Sequence, residues 1–443
     1  MSTPITQGNF SIDTLRVTFN GSNKRVNVLP RDLQALQYSE GLLHHFINVN
    51  IEILDSTNGL SDLLFGMEKW EIKFTDTFNN VTYDFTDGSE NGPLYCYKIS
   101  NKSINDNIKE FTLQLCRYDA ILNMQKRVCK KYTNIRSNEL LADVIKNELE
   151  SDKPLLGFAG DNSTNGLSFI PPNSRPLEIL IWAKNKYYTN PKNGSFSSAG
   201  YFFYETYDGY HYEPIDTVAD NDRNPLQGRY NVTTGTGGTD EIFTFQTAEF
   251  TSEIDMIRNF DKGIYSGKIE FFDINSGRMT TRHYSLKDYY PNWNKVTEEG
   301  ELNVLNSLPL QDDLKPNISE DKEAIEYDYG SRTMFVAFNK GLFSYNDPDG
   351  NTQEDSAGFI NAISQSVSRS GLFTNQELRT TSSYGNMGIN AGNHIEVNFF
   401  DSQGNVDKGH SGRYVVFSIQ HVYIESDRKF KTNYTLVRDS FGI

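Results

Sequence analysis

The chain has 443 residues and a formal net charge of −16 at pH 7. This length is enough for about two to four domains with buried cores. The acidic balance, without clustered Lys and Arg, argues against tight binding to nucleic acid, although DNA could pass nearby without sticking. No segment reaches the ~18 consecutive apolar residues of a membrane helix, and residues 1–13 lack the basic flank and apolar core of a signal peptide. We therefore expect folding in a cytoplasm or inside a particle assembled there.

The cysteines and the aromatic residues narrow the class further. Cys96, Cys116 and Cys129 are odd in number and form no CxxC pair, so we expect reduced thiols rather than a disulfide framework. Aromatic residues make up 13% of the chain, with 25 Tyr and 29 Phe. Tyr-rich segments with β-branched residues, separated by Asn-Gly and Asp-Gly turns, favour sheets and large contact surfaces. A glycan-binding protein would have a similar composition.

The first part of the chain reads as antiparallel β structure. Residues 15–29 predict a hairpin around Asn20 and Gly21, because both central residues of a primed turn need positive φ. Alternating apolar and polar residues predict the next strands at 46–54, 68–75, 94–101 and 108–117.

The pattern then changes to mixed helix and strand. Ser137 is a candidate helix cap before an apolar face that includes Leu140 and Leu141. Pro176 is placed to begin a second helix. Asp208 and Gly209 separate two Tyr-rich strands. We therefore predict an α+β insertion over residues 119–245.

From about residue 246 the β pattern resumes. It is interrupted by a polar stretch at 291–330 and by a predicted helix near 356–370, and the last predicted strands cover 394–400, 412–424 and 430–438. No role can be assigned from the sequence to residues 291–375.

Two parts of the chain read as copies of each other. Residues 51–55 match 269–273, and residues 70–76 match 395–401. The closing hairpins also correspond, from Tyr95 to Arg117 and from Tyr414 to Arg438. The three matches occur in the same order, which favours duplication over chance.

The predicted fold class is therefore mainly β with α+β insertions, built on two similar antiparallel β-barrel (tube) modules, the second of them discontinuous. The predicted domains are the first tube module at 1–118, an α+β insertion at 119–245, the first part of the second module at 246–286, an inserted polar domain with one helix at 287–375, and the second part of the second module at 376–443.

Several segments resemble one protein family. They are residues 46–55 with 66–68, residues 123–128, residues 170–183, residues 200–212, and the ending from 412 to 440. The chain is similar to the baseplate hub proteins of contractile-tailed (T4-like) bacteriophages, with type VI secretion spike proteins as more distant relatives.

The resemblance implies a structural virion protein and no enzyme. Its members form a homotrimer, a pseudo-six-fold ring that adapts the six-fold tail tube to the three-fold central spike. The implied partners are the central spike protein, the tail tube or tube-initiator protein, the tape-measure protein and the baseplate wedge proteins. The implied location is the tail baseplate of a virion assembled in the host cytoplasm. DNA would pass through the lumen without specific binding, so we expect acidic or neutral side chains there.

No catalytic, cofactor or metal site is predicted. Residues 346–354 suggest a calcium loop, but aligning Gly350 puts Tyr345 and Ser356 where the first and last ligands belong. Residues 234–239 suggest a phosphate-binding loop, but no Lys-Ser/Thr follows. His44 and His45 are adjacent and would point to opposite faces of a strand. With 58 acidic residues, no pair of carboxylates stands out as an acid and a base.

Two alternatives from other classes stay open. A tail-borne glycan hydrolase would be the strongest enzyme alternative, but no carboxylates are singled out for it. A receptor- or glycan-binding tail protein is the main alternative function, with aromatic residues lining a sugar site. Copy number separates the two structural readings, since a hub occurs in three copies on the tail axis and a receptor binder in six or more at the periphery.

Overall fold

The structure is a computed structural model that describes residues 5–7, 10–21, 24–56, 59–105, 108–156, 162–189, 198–232, 242–252, 255–297, 332–339, 343–346, 352–354, 356–401 and 403–440. Among these residues, no helix is both long enough and apolar enough to cross a membrane.

Most of the described residues that form regular structure lie in strands. The strands in chain order are β1 (Ile5–Gln7), β2 (Phe10–Thr18), β3 (Arg25–Asn27), β4 (Leu33–Gly41), β5 (Asn48–Asp55), β6 (Lys69–Asp76), β7 (Val81–Phe85), β8 (Leu94–Asn105), β9 (Ile108–Arg117), β10 (Tyr132–Ile135), β11 (Leu155–Leu156), β12 (Asn165–Phe169), β13 (Tyr188–Thr189), β14 (Ser198–Ala199), β15 (Tyr201–Glu205), β16 (Tyr210–Pro214), β17 (Leu226–Val232), β18 (Ile242–Ser252), β19 (Ser266–Asp273), β20 (Arg278–Ser285), β21 (Thr333–Phe338), β22 (Phe343–Asn346), β23 (Thr352–Glu354), β24 (Gln376–Ser382), β25 (His394–Asn398), β26 (Gly412–Ile424) and β27 (Lys429–Arg438).

The helices lie mainly between the two groups of barrel strands. They are α1 (Tyr118–Gln125), α2 (Ser137–Ala142), α3 (Pro176–Ala183), α4 (Ile215–Ala219), α5 (Met256–Asp261), α6 (Leu286–Tyr289) and α7 (Ser356–Phe373), with a π-helical turn at Asp143–Glu148 after α2 and short 3-10 turns at Pro30–Asp32 and Tyr290–Asn292. The helices predicted to begin near Ser137 and at Pro176 are both confirmed, although Arg136 and not Ser137 is the N-cap residue of α2.

The first module is a six-stranded antiparallel sheet in the order β2-β6-β8-β9-β5-β4. Buried and less buried residues alternate along its strands, which is the pattern of a sheet with one face against a core. Trp70, Ile72, Val49 and Leu113 lie in that core and are fully buried. The module therefore encloses a hydrophobic core of its own.

The second module is a closed six-stranded barrel. Its strands follow the order β17-β25-β26-β27-β24-β18, and β18 pairs with β17 to close the circle. Tyr230, Phe245, Ile395 and Leu436 are buried in its core. The chain leaves this barrel after β18 and returns to it at β24, so the module is discontinuous.

The two modules have the same strand order in the sheet and in the chain. The counterparts in the second module are β17 for β2, β18 for β4, β24 for β5, β25 for β6, β26 for β8 and β27 for β9, and they follow the same order in the sheet and in the chain. One strand differs in direction, since β2 is antiparallel to β6 whereas β17 is parallel to β25. The predicted fold class of two similar β modules with a discontinuous second copy is confirmed.

Irregularities of the sheets coincide as well. In the β8–β9 hairpin the register shifts by one residue at Tyr97, and in the β26–β27 hairpin it shifts at Phe417. The register between β4 and β5 shifts at Gln34, and that between β18 and β24 shifts at Gln246. A β-bulge is a specific feature of a fold that related sheets tend to share, and not a random defect. Its recurrence at equivalent positions supports the duplication residue by residue.

One of the three sequence matches is wrong. Residues 269–273 lie in β19, which pairs with β20 and β21 in a separate three-stranded sheet, and the structural counterpart of β5 is β24. An apolar-Glu-apolar strand before an Asp turn is a general pattern, and here it occurs in unrelated strands. The match of 70–76 with 395–401 is confirmed, because Trp70 pairs with Leu94 as Ile395 pairs with Tyr414. In the hairpins, Tyr414 therefore corresponds to Leu94 and not to Tyr95.

These pairings also correct two strand assignments. β17 was predicted to belong to the insertion at 119–245, but it is a strand of the second barrel. β19 and β20 were predicted to belong to that barrel at 246–286, but they form the separate sheet with β21. The periodicity of a strand shows that it is half buried but not which sheet it joins, so the sequence did not reveal either placement.

The two insertions pack together. β10, β12, β22 and β23 form one sheet that draws strands from both insertions, and a shared hydrophobic core joins residues such as Leu140, Leu180, Ile269 and Leu372. The insertions thus form one body beside the two barrels.

Candidate assembly surfaces

The two modules are joined inside the chain by a strand pair. β4 of the first module pairs antiparallel with β26 of the second, from Gly41 opposite Ser418 to Ala35 opposite Ile424. Beyond this ladder the Leu42 amide donates to the Phe417 carbonyl oxygen at 2.8 Å. One continuous sheet therefore runs from the first module into the second.

A loop of the second module also contacts the first. The Ala391 amide donates to Glu40 Oε1 at 2.7 Å, and the Met387 amide donates to Asp76 Oδ2 at 3.1 Å. The hydroxyl of Tyr83 donates to the Met387 carbonyl oxygen at 3.1 Å. These bonds fix the β24–β25 loop against the first module.

Glu40 connects three regions of the chain. Its buried carboxylate accepts hydrogen bonds from the Tyr38 hydroxyl (2.6 Å), from the Tyr207 amide of the first insertion (3.1 Å) and from the Ala391 amide of the second module. Burial raises the pKa of Glu40 to about 7, although the three donors favour its charged form. Glu40 could not be recognised from the sequence, because two of its three donors, the Tyr207 and Ala391 amides, are distant in the chain.

A buried ion cluster holds the first insertion to the first module. Glu205 Oε1 lies 2.9 Å from the Lys153 ammonium and 3.3 Å from the Arg117 guanidinium. Glu205 Oε2 accepts from the Ile47 amide at 3.0 Å. Lys153 and Glu205 are fully buried, and burial lowers the pKa of Lys153. Such a pair specifies geometry strongly, because neither charge can be left alone in the interior.

Among the six strands that the two modules share, one in each module has a long stretch with no partner strand on one side among the described residues. β8 pairs with β6 only through Leu94 and Tyr95, which leaves residues 98–105 unpaired on that side. β18 pairs with β17 only over residues 242–245, which leaves 246–252 unpaired on that side. Open strand edges are templates for pairing with another chain. These segments are called here the β8 edge and the β18 edge.

Apolar side chains lie exposed beside both edges. Beside the β8 edge, the exposed apolar side chains belong to the β5–β6 loop and to the β8 bulge at Tyr97. Phe65 in the loop is the most exposed of them, at 86%. Near the β18 edge, Phe400 and Val406 are exposed on the second module, where they bridge each other. Exposed apolar residues that cluster beside an open edge indicate a protein contact.

The joined sheet also presents a broad polar face. On the strands β8, β9, β5, β4, β26, β27, β24 and β18, one residue in two is buried and the next one faces outward. Most of the outward side chains are amides and hydroxyls: Gln37, Ser39, Asn48, Asn50, Ser100, Thr112, Gln114, Thr247, Thr381, Ser418, Gln420, Asn433 and Thr435. Charged side chains of both signs lie among them, including Lys98, Arg379, Lys429 and Lys431, and Glu52, Glu110, Glu249 and Glu377.

Among the described residues, the candidates for chemistry do not come together into a site. His45 lies in the turn after β4, where its Nδ1 is 3.3 Å from the Phe203 carbonyl oxygen. No group of three or more His, Cys, Asp or Glu residues able to hold a metal ion occurs in the described part of the chain. Residues 234–239, most of the 346–354 segment and residues 298–331 of the polar stretch lie outside the described residues.

The three cysteines lie in the first module and just after it in the chain. Cys96, Cys116 and Cys129 are all free; Cys96 and Cys116 are buried in the β8–β9 hairpin, and Cys129 is exposed. Burial raises the pKa of the Cys96 and Cys116 thiols to about 12. Both are therefore protonated and unreactive near neutral pH.

Sequence reasoning missed the open strand edges and the exposed apolar residues beside them. The two open edges depend on which strands are neighbours, and Phe65 is an ordinary loop residue in the sequence. A partial signal was the Gly66-Met67-Glu68 segment, which belongs to the family resemblance but was not assigned a role.

The fold is shared with known tail proteins. The chain is similar to the tail protein from Neisseria meningitidis MC58, with a TM-score of 0.52, 8% sequence identity and coverage of 98% of this chain and 97% of that one. It is also similar to the 43 kDa tail protein of prophage MuSo2 from Shewanella oneidensis, with a TM-score of 0.50, 8% identity and coverage of 97% and 99%.

A weaker likeness, with a TM-score of 0.42 and 7% identity, is to an Escherichia coli component of the type VI secretion system, covering 97% of this chain and 78% of that one. No protein-family model and no curated protein sequence matches the chain. The structure and these neighbours confirm the predicted resemblance at the level of the fold, and the chain has the fold of phage tail proteins.

Proposed function

We propose that this protein is a structural component of a contractile phage tail, the central hub of the baseplate. Three copies form a ring of six similar modules that joins the six-fold tail tube to the three-fold central spike. The observation that carries this proposal is the equivalence between the strand junction inside the chain and the two open edges.

The argument follows from the duplicated modules. Inside the chain, β26 of the second module pairs with β4 of the first. The structural counterpart of β26 is β8 and that of β4 is β18. The β8 edge and the β18 edge are therefore the two halves of the same kind of junction, left open at the two ends of one copy. Pairing the β8 edge of one copy with the β18 edge of the next repeats the junction.

Repeating a head-to-tail contact gives either a closed ring or an open filament. Two modules per copy make a six-fold ring with three copies, which matches a six-fold tube on one side. Such a ring presents six similar modules and three insertion bodies, so it can also match a three-fold spike. The tape-measure protein and the wedge proteins would contact the same ring.

The polar face gives the ring a suitable channel. Neighbouring modules extend the sheet of β8, β9, β5, β4, β26, β27, β24 and β18 around the axis, with the amides and hydroxyls facing inward. Acidic side chains such as Glu52, Glu110, Glu249 and Glu377 offset the basic ones on this face. A wall without a basic excess does not hold DNA by its phosphates, so nucleic acid passes without specific binding.

An edge-blocking variant tests the ring. The Leu42–Phe417 bond and the alternation of antiparallel ladders direct the Leu36 amide toward β26. Its counterpart in the second module is Ala248, whose amide is thus directed toward the open β18 edge. Ala248→Pro removes this donor and places a ring on the edge, which an edge strand tolerates. Ala248→Thr keeps the donor and is the matched control.

Sedimentation equilibrium measures the outcome. The wild type and Ala248→Thr should associate to three times the chain mass of 50.5 kDa, and Ala248→Pro should stay at one chain mass with unchanged circular dichroism. A wild type that remains a monomer at every accessible concentration, or that forms even-numbered assemblies, contradicts the proposal.

A further inference from the structure

The β5–β6 loop beside the β8 edge holds its most exposed apolar side chain in a fixed position. Glu68 is buried and its Oε1 accepts from the Phe65 amide at 2.6 Å and from the Gly66 amide at 2.8 Å. Leu64 is buried in the core of the first module. The Met67 amide donates to the Cys96 carbonyl oxygen at 2.6 Å. The loop is thus pinned on both sides of Phe65, whose ring is 86% exposed.

The second module contains an equivalent loop with similar hydrogen bonds. Ile389 is buried in the core of the second module, as Leu64 is in the first. The Asn390 amide donates to Asn393 Oδ1 at 2.8 Å, just as the Phe65 amide donates to Glu68 three residues later. The Gly392 amide donates to the Val416 carbonyl oxygen at 2.8 Å.

The backbone angles agree at one of the two equivalent positions, since Gly66 has a φ of 103° and its counterpart Ala391 does not have positive φ. Met67 has a φ of 66° and Gly392 has a φ of 88°. The left-handed region is unusual for a non-glycine residue and persists only where the surroundings impose it. Phe65 therefore corresponds to Asn390.

Asn390 lies in the junction between the modules of one chain. The Tyr83 hydroxyl donates to Asn390 Oδ1 at 3.3 Å, and Asn390 Nδ2 donates to Asp208 at 2.5 Å. The next residue, Ala391, is the donor to Glu40. A residue at this place in the loop thus contacts the neighbouring module.

We propose that Phe65 is the anchor of the contact between copies of this chain, seated against the second module of the next copy. This inference rests on the proposed ring and names the residue that holds it. In the first module Tyr83 follows Thr82, which pairs with Thr75. That pair corresponds to the bridge between Phe400 and Val406 in the second module, so Tyr83 corresponds to Asp407, beside which Phe400 and Val406 are exposed.

The chemistry of the two surfaces, the Phe65 loop and the second module of the next copy, agrees with this contact. Where the junction inside the chain pairs the polar Asn390 with a tyrosine hydroxyl and a carboxylate, the junction between copies places the Phe65 ring beside two apolar side chains, Phe400 and Val406. The adjacent Asp407 carboxylate is held by His410 at 2.6 Å. An aromatic residue in a desolvated pocket is the usual centre of a protein interface. An ordered loop also loses little conformational entropy when it binds.

Phe65→Asp tests the anchor, with Ile257→Asp on α5 as the matched control, since Ile257 is 84% exposed and lies on neither edge. Burying a phenylalanine is worth a factor of roughly ten to a hundred in affinity. Sedimentation should show association weakened by about that factor for Phe65→Asp, unchanged for Ile257→Asp and largely restored for Phe65→Leu. Because both replaced residues are exposed, the thermal unfolding of the single chains should not change.

Photo-crosslinking locates the contact. With p-benzoylphenylalanine at position 65, irradiation should join copies through residues 246–252 or 399–410, as read by mass spectrometry of the crosslinked peptides. An intact trimer with unchanged association for Phe65→Asp, or crosslinks only to other regions, overturns the anchor and leaves the ring standing. A wild type that never associates into three copies overturns the proposed function itself.

Discussion

Replacing Lys153 with methionine isolates the ion pair between the first insertion and the first module. The Lys153 ammonium lies 2.9 Å from Glu205 and 2.5 Å from the Thr206 carbonyl oxygen, and the side chain is fully buried. The variant leaves the Glu205 carboxylate in the interior with Arg117 and the Ile47 amide as partners. Removing one partner of a buried pair costs about 3–5 kcal/mol. Because Arg117 still compensates part of the charge, we expect a loss of about 3 kcal/mol in the free energy of unfolding.

Urea unfolding followed by circular dichroism measures this loss. Lys131→Met replaces an exposed lysine of the same insertion and should change the free energy of unfolding by less than ~0.5 kcal/mol. The double variant Lys153→Met with Glu205→Leu removes both charges, while Arg117 keeps Asp119 at 3.2 Å. It should recover at least about 1 kcal/mol relative to Lys153→Met alone. A loss below ~1 kcal/mol in the single variant, or no recovery in the double, would refute the reasoning.

Three further predictions concern single sites. A thiol reagent at pH 8 should label only Cys129 in the native protein and Cys96 and Cys116 as well after denaturation without reductant; rapid native labelling of all three would contradict their burial. Burial lowers the pKa of His394 to about 4, so the unfolded chain binds the extra proton between pH 6.5 and 4. As the pH is lowered from 6.5 to 4, the free energy of unfolding should therefore decrease by about 2–3 kcal/mol more in the wild type than in His394→Gln. Urea unfolding at each pH measures this difference, and parallel curves would contradict it. Gly392→Ala should lower the free energy of unfolding by about 1–3 kcal/mol, because φ is 88° there and a Cβ would lie 2.5 Å from a buried tyrosine hydroxyl; an unchanged melting temperature would contradict it.

The sequence predicted those parts of the fold that are local. The β2–β3 hairpin, the helix at Pro176 and the closing hairpins could be identified because turn residues and periodicity act over a few positions. The primed turn expected at Asn20 and Gly21 is wrong, since only Gly21 has positive φ and the connection is longer. The duplication could be inferred from Trp70 and its counterpart Ile395, since strands of the same place in a sheet keep the same alternation.

The parts that the sequence did not predict depend on contacts between distant residues. Residues 269–273 carry the same local pattern as β5, yet long-range packing places them in another sheet. Glu40 and Lys153 look like ordinary surface charges until the fold buries them among partners more than fifty positions away. An open edge is likewise a property of the assembled sheet, so neither the β8 edge nor the β18 edge could be recognised from the residues that form it.

The central claim is a ring of three copies in which the junction within the chain and the junction between chains are the same. An electron cryomicroscopy reconstruction of the assembled protein, calculated without imposed symmetry, tests it most directly. We predict three copies, six similar modules around one axis, and a β8 edge of each copy paired with the β18 edge of the next, with Ser100 near Thr251. A different copy number, or three copies that touch through other surfaces while both edges stay open, would contradict the account.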